Sequence, residues 1–581
     1  MKVIFGKPVS PGYAQGHAVI LGAGPHEVVT TRIGPDQVEG ELARFHAALK
    51  GGHRELQQLQ ERVQSELGSE SAEIFSAHLL FLRDPQFIGR VEACIQDERL
   101  SAESAIQTTI DELANLLNDA DNPYLRERAT DVRDLQRRLL RHIAQADADT
   151  LANLGPDSIL VARELLPSDL LEFDREQVVG IITETGGETS HAAILARALG
   201  VPAVTGIDNA MRIIQAGMRL LIDGQTGEVV LQPDAERLHV ATASKARYDG
   251  LTRAAVDAEA QECRTGDGTR VYLLANIGRH FEVEQVAKHH LEGVGLFRTE
   301  YLFLGEREPP SFEYQRQVYG EIATALQGLP LVIRTLDLGG DKWPAFLKPR
   351  FEANPNLGVR GLRLSLLADE ALFRTQIRAT LHVAKGHDVR IMLPMVLGCA
   401  DLRQAMAIIR EVAEQEGIED LPSVGALIET PAAVFAIDEI LEACDFISIG
   451  TNDLTQFMLA ADRNALALIE DYTVLNPSVL RAVRRVVQSA ESAGKSAAVC
   501  GEAAGDPRVA CLLIGLGVRT LSMSPVSAAR VRYALRASQR RELEELARAA
   551  LKSDSAETVS KLVTEVLNRM VPEMGTPAFA V

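Results

Sequence analysis

Eight short apolar segments, each followed by a stretch of helical pattern, fill the C-terminal part of the chain. They are Val271–Ile277, Gly293–Phe297, Leu331–Thr335, Val389–Pro394, Val424–Ile428, Phe446–Ile449, Ala497–Val499 and Thr520–Met523. Strands that are apolar along nearly their whole length are buried on both faces and need helices to cover them. Eight such β/α units predict a closed (β/α)8 barrel of the TIM type over residues 262–581. The widest gap, Asp337 to His387, falls between the third and fourth strands.

The remainder of the chain changes period twice. Its first twenty residues carry strand and turn signals, with Val3-Ile4-Phe5, Pro8, Pro11-Gly12 and Ala18-Val19-Ile20-Leu21. From about Pro35 to Ala146, Val38, Leu42, Phe45 and Leu49, then Leu56, Leu59, Val63 and Leu67, recur at helical spacing. Strand patterns return at Ser158–Ala162, Val178–Ile182 and Pro202–Val204, with a hairpin from Arg219 to Leu231. The expected organisation is an α/β domain made of 1–21 and 147–233, a helical bundle over 22–146 inserted into it, a connecting helix over 234–261, and the barrel.

The 581 residues carry a formal charge of −20. That argues against non-specific nucleic-acid binding and suits partners with basic patches. No uncharged apolar run approaches the ~18 residues of a membrane span, and Met1–Phe5 runs into Gly6-Lys7-Pro8 without a signal-peptide pattern. A cytoplasmic chain without membrane insertion is expected. Its six cysteines are scattered, with no CxxC or CxH spacing, which speaks against a disulfide scaffold or a structural zinc site.

Barrel chemistry gathers where strands end. The second strand ends in Arg298-Thr299-Glu300 and the third in Arg334-Thr335-Leu336-Asp337, followed by Gly339-Gly340-Asp341-Lys342. The fifth ends in Glu429-Thr430-Pro431, the sixth in Gly450-Thr451-Asn452-Asp453 and the seventh in Cys500-Gly501-Glu502, while Arg360 and Arg463 flank them. One charged residue at a loop is ordinary solvation; five strand ends sharing the feature are not. Four arginines suit phosphate and carboxylate, which guanidinium matches bidentately. Glu429 and Asp453 offer hard oxygen ligands which, with substrate phosphate, suit Mg²⁺; an ion pair with the arginines is the plainer alternative. Cys500, amid expected positive charge, reads as a reactive thiol able to donate a proton. A small, highly anionic phosphorylated acid is the implied ligand.

A second constellation lies at Thr185-Gly186-Gly187-Glu188-Thr189-Ser190-His191, after a strand and before an amphipathic helix. Thr189 and Ser190 are capping residues, so His191 falls in the first turn, where free N–H groups favour an anion. That setting suits an imidazole nucleophile that accepts and passes on a phosphoryl group. The one Gly-Lys-Ser, at 494–496, has Ser489 where a P-loop needs glycine.

With these motifs the whole chain resembles enzyme I of the bacterial sugar phosphotransferase system, the phosphoenolpyruvate–protein phosphotransferase family. Gly186–His191 resembles its phosphohistidine motif. Arg298-Thr299-Glu300, Arg334 to Lys342, Asn354-Pro355 with Gly358-Val359-Arg360, Glu429-Thr430-Pro431, Ser448–Thr455 and Val499–Glu502 resemble its phosphoenolpyruvate barrel. Ile74–His78 and Tyr124–Arg133 resemble its docking domain for the carrier protein HPr. The resemblance implies Mg²⁺ on Glu429 and Asp453, and phosphoenolpyruvate held by Arg298, Arg334, Lys342, Arg360, Asn452 and Arg463. It further implies His191 as phosphoryl acceptor and Cys500 as the acid that protonates the enolate. HPr docking near His78, Leu79 and Asp84, and a homodimer formed through the barrel, belong to the same implication.

The barrel motifs alone are shared with pyruvate phosphate dikinase and phosphoenolpyruvate synthase. The helical insertion, and the lack of room for a nucleotide-binding domain, separate this chain from them. A nitrogen-branch or fructose-branch variant stays open, as does a regulatory paralogue without turnover. Glu188 is acidic where many relatives carry a basic or neutral residue, and Asp84-Pro85-Gln86 is less acidic than the docking segment of some relatives.

Overall fold

The computed structural model describes residues 2–21, 30–67, 78–79, 81–118, 123–144, 154–165, 177–185, 196, 200–304, 306, 308–339, 343–344, 346–347, 352, 354–462 and 472–571. The chain divides into two compact units, residues 1–248 with 577–581, and residues 249–576.

In the first unit, eight strands form one sheet: β1 (Lys2–Phe5), β2 (Lys7–Ser10), β3 (Tyr13–Ile20), β4 (Ser158–Ala162), β5 (Val178–Thr183), β6 (Ala203–Thr205), β7 (Arg219–Asp223) and β8 (Glu228–Leu231). Their order is β1-β8-β7-β3-β4-β5-β6-β2, with parallel pairing from β3 to β6 and antiparallel pairing toward both edges. β1 and β2 lie at opposite edges yet are separated only by Gly6, so the sheet must curl until its edges nearly meet. Gly6 is where they meet: its N–H donates to Gly227 O at 2.9 Å, and a Cβ there would lie 2.5 Å from Thr205 O.

Between β3 and β4 the chain forms helices Val38–Leu67, Pro85–Gln96, Ala102–Asn118 and Pro123–Ala144. Their apolar stripes converge on Phe45, Leu56, Ile95, Ile106, Ile110, Leu135 and Leu139, all buried. Leu160, Val178 and Ile181 of the sheet join the same core, so the bundle is packed onto the sheet into which it is inserted. A helix follows at Ala235–Asp257.

The second unit is the expected barrel. Strands β9 (Tyr272–Ile277), β10 (Val294–Arg298), β11 (Leu331–Arg334), β12 (Val389–Leu393), β13 (Val424–Ile428), β14 (Phe446–Ile449), β15 (Ala497–Val499) and β16 (Thr520–Met523) close in sequence order, every pair parallel. Helices Leu362–Leu367 and Glu370–Ala384 lie in the wide gap between β11 and β12. Side chains alternate along each strand. Leu273, Ala275 and Ile277, for example, join the large core shared with the covering helices. Leu296, Val332, Met392, Leu427 and Phe446 form a separate small cluster with Cys500. Two residues beyond Leu296, Val332 and Leu427, on the same strand face, come Arg298, Arg334 and Glu429. The charged layer therefore sits at the C-terminal mouth, directly above an apolar plug. No described helix is long and apolar enough to cross a membrane.

Crowding at Gly6 gives a test. Gly6→Ala is expected to destabilise the first unit by about 1–3 kcal/mol through overpacking. Calorimetry on the full chain should show that unit's transition lowered while the barrel transition stays in place.

Candidate active site

The mouth of the barrel is organised around Asp337. Arg334 Nη1 pairs with Asp337 Oδ2 at 3.2 Å, and Arg360 donates from Nη2 to the same oxygen at 3.1 Å. Arg334 also pairs with Glu300, which is fully buried. Arg360 reaches Asp453 Oδ1 from its other terminal nitrogen at 3.1 Å. Arg360 comes from no strand. It is brought in by a close crossing, for a Cβ on Gly339 (φ +115°) would lie 2.4 Å from Arg360 Cβ. Only glycine tolerates both that backbone angle and that contact.

Glu429 follows β13 and is buried; its Oε1 accepts from Met395 N at 2.6 Å. Oε2 lies against Gly450, where a Cβ would stand 2.7 Å away, so the chain leaves room for the carboxylate at the start of the next helix, Thr451–Leu459. Asp453 lies in the first turn of that helix. Burial, then the charges of Asp453 and Asp337, push the Glu429 carboxyl up to about 8, against the opposing pull of Arg334 and Arg360. A carboxylate so crowded by other carboxylates is a site that favours a cation.

Among the described residues, no three His, Cys, Asp or Glu side chains converge as a self-sufficient metal cage. Glu429 and Asp453 offer two hard oxygens with neither His nor Cys. Mg²⁺ takes one or two carboxylates and completes its shell with water and substrate phosphate. The raised Glu429 carboxyl fits that role, because a bound cation would replace its proton.

Arg298 projects from the end of β10 and donates to Glu502 Oε1 at 3.1 Å; its side chain is 25% exposed, far more than Arg334 or Arg360 at 7% and 5%. It is the guanidinium most open to an incoming anion. Asn452 is half-buried, and its main-chain O accepts from Tyr472 Oη at 2.7 Å. Cys500 is buried, with its Sγ 3.8 Å from Ile449 O. Burial pushes its thiol up to about 11, the nearby Glu429 charge adds to that, and Arg334 and Arg298 oppose it. The positive charge expected to activate this thiol is present, but desolvation outweighs it, and the group keeps its proton at neutral pH.

Arg298, Arg334, Arg360, Glu429, Asn452, Asp453 and Cys500 thus all lie at one end of the barrel. His191, Lys342 and Arg463 lie outside the described residues. Leading to His191, β5 ends at Thr183, whose hydroxyl donates to Thr205 Oγ1 at 2.7 Å, and Thr205 Oγ1 donates in turn to Thr185 O at 3.1 Å. Of the expected docking residues, His78 is 2% exposed, with its Nδ1 4.0 Å from Asp134 Oδ2 inside the bundle. The ring is therefore part of the packed interior of the bundle. Leu79 is half-buried, and Asp84 caps helix Pro85–Gln96 by accepting from Gln86 N at 2.8 Å.

Glu300 and Asp337, which hold the arginines in place, were visible at strand ends but carried no assigned role. A further pair, Asn276 and Ser522, joins the site from strands whose ends carry no charge. Asn276 Nδ2 donates to Cys500 O at 3.0 Å, and Ser522 Oγ donates to Asn276 Oδ1 at 2.6 Å. The signal available in the sequence was a single polar residue near the end of each otherwise apolar strand.

The raised Glu429 carboxyl has a stability consequence. The folded chain holds an extra proton between the ordinary carboxyl value of 4.5 and about 8, so stability falls as pH rises through that window. Metal-free Glu429→Gln is expected to lose much of this pH dependence. Its barrel should melt a few degrees above wild type at about pH 8, with the difference shrinking toward about pH 5. Calorimetry of both chains across that range checks it; parallel melting profiles would contradict it.

Comparison with known proteins agrees with this architecture. Residues 5–128 match the family "PEP-utilising enzyme, N-terminal", residues 154–227 "PEP-utilising enzyme, mobile domain", and residues 253–540 "PEP-utilising enzyme, PEP-binding domain". The phosphoenolpyruvate-protein phosphotransferase of Listeria monocytogenes is 38% identical over 533 residues, covering 90% of this chain and 93% of that protein. Its counterpart from Priestia megaterium is 37% identical over 533 residues, 91% of this chain and 93% of that protein. That of Staphylococcus aureus is 35% identical over 567 residues, 97% and 99% respectively. At such identity over nearly full length, the chain belongs to the phosphoenolpyruvate-protein phosphotransferase family.

Proposed function

We propose that this chain takes the phosphoryl group of phosphoenolpyruvate onto His191 in a Mg²⁺-dependent step and passes it to a histidine of an HPr-type carrier, starting sugar uptake by a phosphotransferase system. The observation that carries the reading is the buried carboxylate–arginine cluster at the barrel mouth, with a protonated thiol beside it. The names of the relatives support the same donor and a protein acceptor.

In this reading Arg298, Arg334, Arg360 and Arg463, with Lys342 and Asn452, bind the phosphate and carboxylate of phosphoenolpyruvate. Asp337 and Glu300 hold two of those guanidiniums in a fixed fork, so their orientation is set before substrate arrives. Mg²⁺ bound by Glu429 and Asp453 would supply positive charge against the phosphate and the enolate oxygen. A ring nitrogen of His191 attacks phosphorus, and the bond from phosphorus to the enol oxygen breaks. The enolate then collapses to a ketone as C3 takes the Cys500 proton, and water restores the proton to sulfur. The module carrying His191 must visit the barrel mouth and then the helical domain, where the carrier would dock. A homodimer through the barrel, and a cytoplasmic location, belong to the same proposal.

Incubation with ³²P-labelled phosphoenolpyruvate and Mg²⁺ should place label on the protein, acid-labile and base-stable as phosphohistidine is. His191→Ala should abolish it. Wild type that takes no label under these conditions contradicts the proposal, and labelling of His191 from ATP would favour the dikinase-like or synthase-like alternative.

A further inference from the structure

Cys500 is the first residue beyond β15, where the ladder to β16 stops: Ala498 pairs with Thr520 and Val499 with Leu521, and the pairing goes no further. On its other side Cys500 N still donates to Ile449 O of β14 at 3.1 Å. Its own carbonyl, deprived of a ladder partner on the β16 side, accepts from Asn276 Nδ2 at 3.0 Å. Asn276 belongs to β9, two strands away around the barrel. It is spanned by Ser522 of the intervening β16, which is fully buried and donates to Asn276 Oδ1 at 2.6 Å and also lies 3.1 Å from Ala275 O. A carbonyl can only accept, so the amide has a single satisfactory orientation. Space for the bridge comes from β10, where a Cβ on Gly295 would lie 2.5 Å from Ser522 Oγ.

We infer that Asn276 and Ser522 are positioning residues for the Cys500 thiol, fixing which face of the enolate receives the proton. The inference rests on the assignment of Cys500 as the acid. Delivery of a proton to carbon requires the S–H bond to point at one lobe of the C2–C3 π system. The S–H bond breaks as the C3–H bond forms, the enolate oxygen pair becomes the C2=O bond, and the thiolate is reprotonated by water. Cys500 is tethered to β14 through its N–H and to β9 through its carbonyl. Without the second tether the residue hangs from one strand at the point where the sheet frays, and a shift of about 1 Å there is enough to cost roughly 100-fold in rate. The charged groups bearing on the thiol are Glu429, Arg334 and Arg298, whereas the described side-chain hydrogen bonds of Asn276 and Ser522 go to Cys500 O, to each other and to Ala275 O.

The test is single turnover on the full chain with Mg²⁺. Phosphoenolpyruvate carrying ²H at one C3 position is turned over in ³H-labelled water, and the chirality of the pyruvate methyl group is read. Wild type should give one enantiomer. Asn276→Ala should release pyruvate about tenfold or more slowly and with largely racemised methyl groups, while half-saturation by phosphoenolpyruvate shifts little. Asn276→Asp supplies the reading that a merely structural role would not move. Ionised at about pH 8, it has no proton to donate to the Cys500 carbonyl and should behave as Asn276→Ala. Aspartate fills nearly the same space as asparagine, so loss of selectivity in this variant too traces to the missing N–H donor and not to vacated volume. Full selectivity in both variants, or full selectivity in the Asp chain with loss in the Ala chain alone, overturns the inference. Full selectivity in Cys500→Ala would instead overturn the assignment of Cys500 as the acid.

Discussion

At the barrel mouth Asp337 holds Arg334 and Arg360 at once, while Glu300, Glu429 and Asp453 crowd the same two guanidiniums. Taking four carboxylates and two arginines out of water is costly, and pairing alone does not repay it. The imbalance shows in Glu429, which holds its proton up to about pH 8 rather than add another negative charge. A cluster of this kind is poor at stabilising a fold and well suited to receiving a divalent cation together with an anion. The rest of the barrel serves to keep it in that condition: an apolar plug beneath, glycines at 339 and 450 that let charged side chains approach, and a thiol kept protonated by burial.

The same cluster explains a division of labour among the arginines. Arg334 and Arg360 are held by carboxylates and largely buried, so in the proposed reading they would meet the anion with their orientation already fixed. Arg298, paired with Glu502 alone among the described residues and with a quarter of its side chain exposed, is in the proposed reading the guanidinium that would exchange its partner for substrate. Binding would then need little rearrangement of the two buried guanidiniums, which is the preorganisation that phosphoryl transfer relies on.

Much of this was legible in the sequence. All eight barrel strands were placed to within a residue at either end, because strands buried on both faces are apolar throughout and their helices punctuate them. Arg298, Arg334, Glu429 and Cys500 could be read as site residues because a charge or a thiol interrupts the apolar pattern where each strand ends. Asp337 and Glu300 were visible but their bracing role was not, since Glu300 reaches Arg334 only across the β10–β11 pairing and Asp337 joins a second guanidinium only when Arg360 arrives from a loop through the Gly339 crossing. Asn276 and Ser522 gave no such signal. A lone amide or hydroxyl in a strand is compatible with many surroundings, and only the closure of β16 onto β9 brings these two to Cys500. The burial of His78 was not legible either, because a resemblance of segments says nothing of which way a ring faces within the bundle.

The most direct measurement is calorimetric titration of the full chain with Mg²⁺ near pH 7 in two buffers of different ionisation enthalpy. Close to one proton released for each Mg²⁺ bound, and almost none in Glu429→Gln, is the expected result. Mg²⁺ binding to wild type without proton release, or the same release from both chains, would contradict a cation site built on Glu429.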